Sequence, residues 1–201
     1  NVKKDEFGQK IGVVHAKTEN LDDLSKKIIS VLDEVAKTVD RTTNVMLKSP
    51  TVLSRLERTG VVNTENTKAL GAVGMAARAS GVDLDIRFDF NDSWYTTLDV
   101  QKPFKASGDV YSRFKLRYKE VKQSISIVKK LIKKLNEYSK QETLNSPKQE
   151  LAPNSFIISA VEGWRGEVIH IAITGVNGEL LRYKIKDPSF NNWYMLAMAV
   201  R

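Results

Sequence analysis

From Gly108 to Leu135 the chain reads GDVYSRFKLRYKEVKQSISIVKKLIKKL, and within it Phe114, Tyr118, Val121, Ile125, Val128, Ile132 and Leu135 recur at alternating steps of four and three. That spacing keeps one apolar stripe on a helix, and Ser107 or Asp109 supplies the side-chain oxygen that caps its start. Lys129, Lys130, Lys133 and Lys134 are expected in its last turns, where cations suit the negative end of the helix dipole. Arg113, Arg117 and the acidic Asp109 and Glu120 share another face at steps of four, four and three. They read either as a self-satisfied row of ion pairs or as a functional set.

A stripe of this length needs a partner helix, and the sequence offers one upstream. Leu21, Leu24, Ile28, Val31, Val35 and Val39 follow the same steps, behind a cap at Asn20 and with Asp22 and Asp23 in the first turn. A helix of about five turns is expected there. The polar run Asp40 to Asn44 is expected beyond its end, and Ser49-Pro50 disfavours helix at Ser49 before a shorter helix around Pro50 to Arg58. From Gly60 to Asp92, glycines at 60, 71, 74 and 81 and weak periodicity read as loop with short elements.

Downstream the period changes. Phe156 to Glu162, Glu167 to Thr174 and Glu179 to Lys186 are β-prone runs separated by Gly163 to Gly166 and by Gly175-Val176-Asn177-Gly178, which predicts three antiparallel strands. A two-residue Asn-Gly loop would oppose Ile173 to Arg182 and Ile171 to Lys184. A three-residue loop with left-handed Gly178 pairs Ile173 with Leu181, Ile171 with Tyr183 and Ile169 with Ile185. The latter keeps each face uniform and is the expected register; it sets His170 beside Lys184 on the polar face. The fold class is therefore α+β: a helical core over residues 1–140, a linker or exposed loop over 141–155 marked by Pro147 and Pro153, and a small β-element with the C-terminal segment over 156–201.

Composition narrows the chemistry. The 201 residues carry 32 Lys+Arg against 24 Asp+Glu, a net charge of +8, and no cysteine. That excludes a disulfide framework, a Cys-ligated zinc or iron–sulfur site and a thiol nucleophile in this chain. The longest strongly apolar runs, Ala69 to Ala77 and Tyr194 to Val200, are far shorter than the roughly 18 residues of a membrane-spanning helix. The start at Asn1 is expected of a processed product or fragment. Lys102 to Lys140 concentrates an excess of +9 while the rest sums to −1, which points to an acidic partner. The row Lys115, Lys119, Lys122, Lys129 and Lys133 could track phosphates, but neither a phosphate loop nor a recognition helix accompanies it, so no direct nucleic-acid contact is expected. The aromatic side chains read as structural. Neither histidine has a metal-ligand neighbour, no Ser-His-Asp arrangement is evident, and residues alone do not establish catalysis.

In chain order, Arg78-Ala-Ser80-Gly81, Asp85-x-Arg87, the Gly108-Asp109-x-Tyr-x-Arg113-x-x-x-Arg117-x-x-Glu120 helix start, Arg165-Gly166-Glu167-x-x-His170 and Pro188-Ser-Phe190-x-Asn192-Trp193 form a series. Over roughly residues 45 to 201 it resembles the large subunit of membrane-bound [NiFe] hydrogenases of the formate hydrogenlyase type, and the homologous quinone-site subunit of respiratory complex I. The resemblance implies an oxidoreductase subunit, inactive alone, that exchanges electrons with an iron–sulfur cluster on a partner subunit and reacts protons and hydrogen, or quinone. It implies a peripheral position on the cytoplasmic side of a membrane-bound complex; NAD and quinone belong to that wider complex. Arg78, Ser80, Gly81, Asp85 and Arg87 look like the loop facing the partner and its cluster. Arg165, Gly166 and His170 look like the hairpin flanking the reacting pocket, and Asp109, Arg113, Arg117 and Glu120 like the family's helix motif. Hydrogenase members hold nickel and iron with two Cys-x-x-Cys pairs, one near each end of the full subunit; this cysteine-free chain is expected to be a fragment lacking both of those segments, or a cysteine-free complex I-like subunit, so no metal or other cofactor is expected in it. The family's E-A-P-R-G-E stands here as Glu162-Gly163-Trp164-Arg165-Gly166-Glu167, and Phe88-Asp89-Phe90-Asn91 replaces the Pro-Tyr pair after Arg87. A non-catalytic basic scaffold that binds an acidic protein or nucleic acid through Lys115 to Lys134 is the alternative.

Overall fold

A computed structural model of the chain describes residues 3–4, 10–11, 21–89, 95, 98, 100–138 and 150–200. The expected cap Asn20, the pair Phe90-Asn91 and residues 141–149 of the expected linker lie outside them. The elements run β1 (Lys3–Lys4), β2 (Lys10–Ile11), α1 (Leu21–Lys48), α2 (Pro50–Leu56), α3 (Thr64–Ala69), α4 (Gly74–Ala79), α5 (Ile86–Asp89), α6 (Val110–Tyr138), β3 (Phe156–Gly163), β4 (Gly166–Thr174), β5 (Leu180–Lys186) and α7 (Ser189–Ala199). Helices precede a three-stranded antiparallel sheet of order β3-β4-β5, the α+β arrangement that the change of period foretells.

Asp109 is the cap of α6: its Oδ1 accepts the Ser112 N–H at 2.8 Å and the Ser107 hydroxyl at 3.1 Å, and its Oδ2 accepts the Arg58 N–H at 3.0 Å. Burial alone would raise this carboxyl, but those donors outweigh it and hold it below its ordinary range. α6 runs on to Tyr138, so Lys133 and Lys134 fall in its penultimate turn, Lys129 and Lys130 one turn earlier, and the last turn holds no base. Lys129 reaches Asp33 at 2.5 Å and Lys130 donates to the Leu98 carbonyl at 2.8 Å.

α1 packs antiparallel to α6, and it is longer than the pattern predicts. Asp40 to Asn44 stays helical because its polar groups have partners on α6: Asp40 accepts from the Tyr118 hydroxyl at 2.6 Å and pairs with Lys122 at 3.3 Å. The face turned inward is Ser25, Ile29, Leu32, Ala36 and Thr43, one step round from the expected stripe. Leu24, Ile28, Val31 and Val35 therefore remain exposed.

The core lies in the glycine-rich segment. Val62, Ala72, Ala77 and Met195 pack together, with Met75, Ala79 and Leu116 beside them. Small side chains let α3 and α4 close on α6 and α7. The α7 helix is not anticipated by any apolar period; its signal is Asp187-Pro188-Ser189, where Asp187 accepts the Ser189 N–H at 2.8 Å. Nor do the aromatic residues all belong to the core, since Phe156, Trp164, Phe190, Trp193 and Tyr194 are exposed.

The β4–β5 turn corrects the expected register. The loop is the three-residue one, with Gly178 left-handed at φ +78°, and the Gly175 N–H reaches the Glu179 carbonyl at 2.9 Å. One pair inward, an irregularity between Ile173 and Thr174 shifts the pairing, so Ile173 faces Arg182, Ile171 faces Lys184 and His170 faces Ile185. Uniform faces are not enforced here because the sheet is solvated on both sides, and register is weakly specified where neither face is buried.

Candidate functional site

The R-x-S-G loop closes α4 and turns its arginine inward. Arg78 is 2% exposed and meets three carboxylates from three segments. Nη1 lies 3.2 Å from Asp85 Oδ2 and 2.8 Å from Glu162 Oε1, and Nη2 lies 2.5 Å from Glu120 Oε1. Asp85 is fully buried and also receives Arg87 in a fork, Nε to Oδ1 at 2.9 Å and Nη2 to Oδ2 at 2.6 Å. Two guanidinium groups thus face three carboxylates, one negative charge in excess in a nearly dry site. A cavity of about 250 Å³ adjoins it, lined by Arg78, Arg87, Tyr95, Glu120 and Glu162 among others.

The electrostatics follow from that imbalance. Burial disfavours a charged guanidinium, yet the ion pairs to Glu162 and Asp85 outweigh it and hold Arg78 above its ordinary range. Burial pushes the Glu162 carboxyl up, and the attraction of Arg78 only partly offsets this. Glu162 is the group placed to hold a proton. Folding takes up protons at this carboxyl above its unfolded pKa of about 4.3, so its ionisation lowers stability as pH rises through the native value. Urea unfolding of Glu162→Gln is expected to show a variant that gains on the parent from pH 5 to pH 8. A pH-independent difference would show that Glu162 ionises as freely in the fold as outside it.

The loop backbone is fixed to the approach of α6. The Gly81 N–H donates to the Lys105 carbonyl at 3.0 Å, Gly108 to Ala79 at 2.9 Å and Val62 to Gly108 at 3.0 Å. Ser80 is fully buried and gives its carbonyl to the Thr64 hydroxyl at 2.7 Å. Arg78, Ser80 and Asp85 are thus inside this chain, with Arg87 at its margin.

The arginines of α6 do not form the row of ion pairs that their spacing allows. Arg113 donates to the carbonyls of Gly108 and Gly60, both at 2.8 Å. Arg117 donates to the Trp164 carbonyl at 2.8 Å and stacks on the Trp164 ring at 4.2 Å. Asp109 caps the helix and Glu120 serves Arg78. The motif is a set of four separate ties.

The hairpin brings Arg165 and Gly166 to the core at the β3–β4 turn. Gly166 (φ +135°) lies against Gly74 (φ +66°) so closely that a Cβ on Gly74 would stand 2.2 Å from the Gly166 Cα. Asn192 of α7 fastens the same seam, accepting from the Val73 N–H and donating to the Arg165 carbonyl, both at 3.0 Å. His170 sits further along β4, on the solvated sheet, with Nδ1 against the Tyr183 hydroxyl. It is not gathered into the network.

Glu162, Trp164 and Asn192 join these contacts although motif reading passes over them as site residues. Their signal is adjacency: each stands within or beside one of the motifs. Among the described residues no cluster of three His or acidic side chains could hold a metal, and no helix is long and apolar enough to cross a membrane. The nickel–iron centre of the hydrogenases that the sequence resembles needs cysteine thiolates, and with no cysteine in the sequence the residues present do not fit it. The basic row is partly committed to helix packing, through Lys122 to Asp40 and Lys129 to Asp33.

Compared with known proteins, a family model described as respiratory-chain NADH dehydrogenase, 49 Kd subunit, matches residues 10–156. A subunit of the NADH-quinone oxidoreductase of Thermodesulfovibrio yellowstonii is 29% identical over 80% of this chain and 48% of that protein. The corresponding protein of Chloroherpeton thalassium is 29% identical over 96% of this chain and 50% of its own length, and that of Herpetosiphon aurantiacus is 31% identical over 76% and 42%. The chain spans about half the length of these relatives. Among solved structures, that of the membrane-bound sulfane sulfur reductase (MBS), an archaeal respiratory membrane complex, superposes with a TM-score of 0.71 at 19% identity, covering 89% of this chain and 53% of that one. At that identity the likeness is one of fold.

Proposed function

Since the chain belongs to the family of the 49-kDa subunit of respiratory-chain NADH dehydrogenase, we propose that it is part of a peripheral subunit of a membrane-bound NADH–quinone oxidoreductase-like complex. In this reading electrons arrive from an iron–sulfur partner, and quinone is reduced at a pocket completed by that partner against the Gly166 and His170 side of the hairpin, with Arg165 at its edge. Arg87 at the margin of the buried network faces that partner, with Arg78, Ser80 and Asp85 holding the loop behind it. The observation that carries the reading is the Arg78 network: residues of the R-x-S-G, D-x-R and G-D-x-Y-x-R motifs converge with Glu162 on one site, and that site ties the helices to the R-G-E hairpin. The hydrogen-reacting variant is the less favoured, since the matching family model and the curated relatives are NADH-quinone oxidoreductase subunits. Nothing in the packing favours the basic scaffold.

The test is assembly. Antibody to this chain, applied to detergent-solubilised membranes of the source organism, is expected to recover a multi-subunit complex with iron–sulfur electron paramagnetic signals and NADH-dependent quinone reduction. Recovery of the chain by itself, or of a complex that evolves hydrogen and leaves quinone untouched, would overturn the proposal.

A further inference from the structure

A second cavity, of about 270 Å³, opens between α4, α6, the Arg165 turn and α7. Arg113, Arg117 and Arg165 stand around it, with Met75, Trp193 and Leu196 among the apolar walls. It has no acidic lining residue, and among the described residues no carboxylate lies within ion-pair distance of any of the three guanidinium groups. Arg113 and Arg117 spend part of their hydrogen-bonding capacity on backbone carbonyls. Asp187 attracts Arg165 but is held by its own turn through Ser189, and Asp109 and Glu120 act on Arg113 and Arg117 only at longer range. Three positive charges therefore surround a half-desolvated apolar cavity and lack an anion, an arrangement that costs free energy until one enters.

The cavity is also not isolated. Trp193 and Leu196, which line it, are 66% and 51% exposed, and Phe190 and Tyr194 of the same helix are exposed as well. A small ligand that filled the cavity would leave that surface in water, whereas a polypeptide would cover both. Exposed apolar side chains at the mouth of a charged cavity are the mark of a protein contact. Resting on the multi-subunit reading above, we propose that this face docks a segment of a partner subunit carrying one carboxylate between apolar side chains. The carboxylate sits among Arg113, Arg117 and Arg165, and its neighbours pack on Trp193 and Leu196.

The test uses the full 201-residue chain and three probes: a fluorescein-labelled pentapeptide with one central glutamate between leucines, its glutamine counterpart, and octanoate as competitor. Fluorescence anisotropy is expected to show the glutamate peptide binding about tenfold or more tightly than the glutamine peptide, with an affinity that falls as salt rises. Arg165→Gln, at an exposed side chain with no hydrogen bond to the rest of the described chain, should fold normally and weaken binding several-fold. Leu196→Ser should weaken both peptides alike. Equal affinity for the two peptides would overturn the proposal, as would binding of octanoate with neither peptide bound, which would assign the cavity to a free amphiphile. These outcomes need no intact complex, so their failure is separable from failure of the assembly experiment.

Discussion

Gly74→Ala is expected to be among the most damaging single substitutions in this protein. The added methyl would meet the Gly166 Cα at 2.2 Å, the Arg165 carbonyl at 2.6 Å and the Gly166 nitrogen at 2.6 Å. All three are backbone atoms, so no rotamer change relieves the overlap. The left-handed φ of +66° adds strain, and together these are worth about 3–5 kcal/mol. Gly71→Ala is the control. Its φ is +62°, but the nearest atom to its Cβ is a side-chain amide nitrogen of Asn191 at 3.1 Å, so it should cost only about 1 kcal/mol of backbone strain. The difference between the two in chemical denaturation isolates the close approach of hairpin and core. Equal losses would show that the hairpin simply moves aside.

The second large effect concerns Arg78. Arg78→Met leaves Asp85, Glu120 and Glu162 gathered in a buried site with Arg87 as their only close cation among the described residues. Removing one partner of a buried ion cluster strands the others, and the expected loss is about 3–5 kcal/mol at neutral pH. It should shrink on acidification, because protonated carboxyls need no counter-charge. Arg78→Lys is expected to recover little, since a single ammonium cannot replace a planar fork aimed at three carboxylates. Adding Glu120→Gln to Arg78→Met should restore part of the loss, a coupling readable in a double-mutant cycle. Strict additivity would mean that the cluster is solvated and the charges independent.

Periodicity made the two long helices legible, and turn chemistry made the three strands legible. Both were less informative where tertiary contacts override local preference. Asp40 to Asn44 looks like a helix end until Tyr118 and Lys122 supply partners from α6, and no local pattern encodes a partner 78 residues away. The face of α1 that turns inward is likewise chosen by α6. At the site, Arg78, Asp85 and Arg87 lie seven and two positions apart, close enough to meet within one loop. Glu120 and Glu162 lie 42 and 84 residues from Arg78, and only the fold brings them together. The register slip at Ile173 escaped because the expected pairing rests on a buried sheet face, and this sheet has none.

The span of the Arg78 network also bears on the assembly of the molecule. Arg78, Asp85 and Arg87 are local in sequence, whereas Glu120 comes from α6 and Glu162 from the hairpin. The hairpin's own ladder is local and can form before it is seated. Seating it moves a carboxyl from water into the protein, and burial raises that carboxyl's proton affinity. Seating the hairpin is therefore linked to proton uptake, and mild acid favours the seated over the detached hairpin.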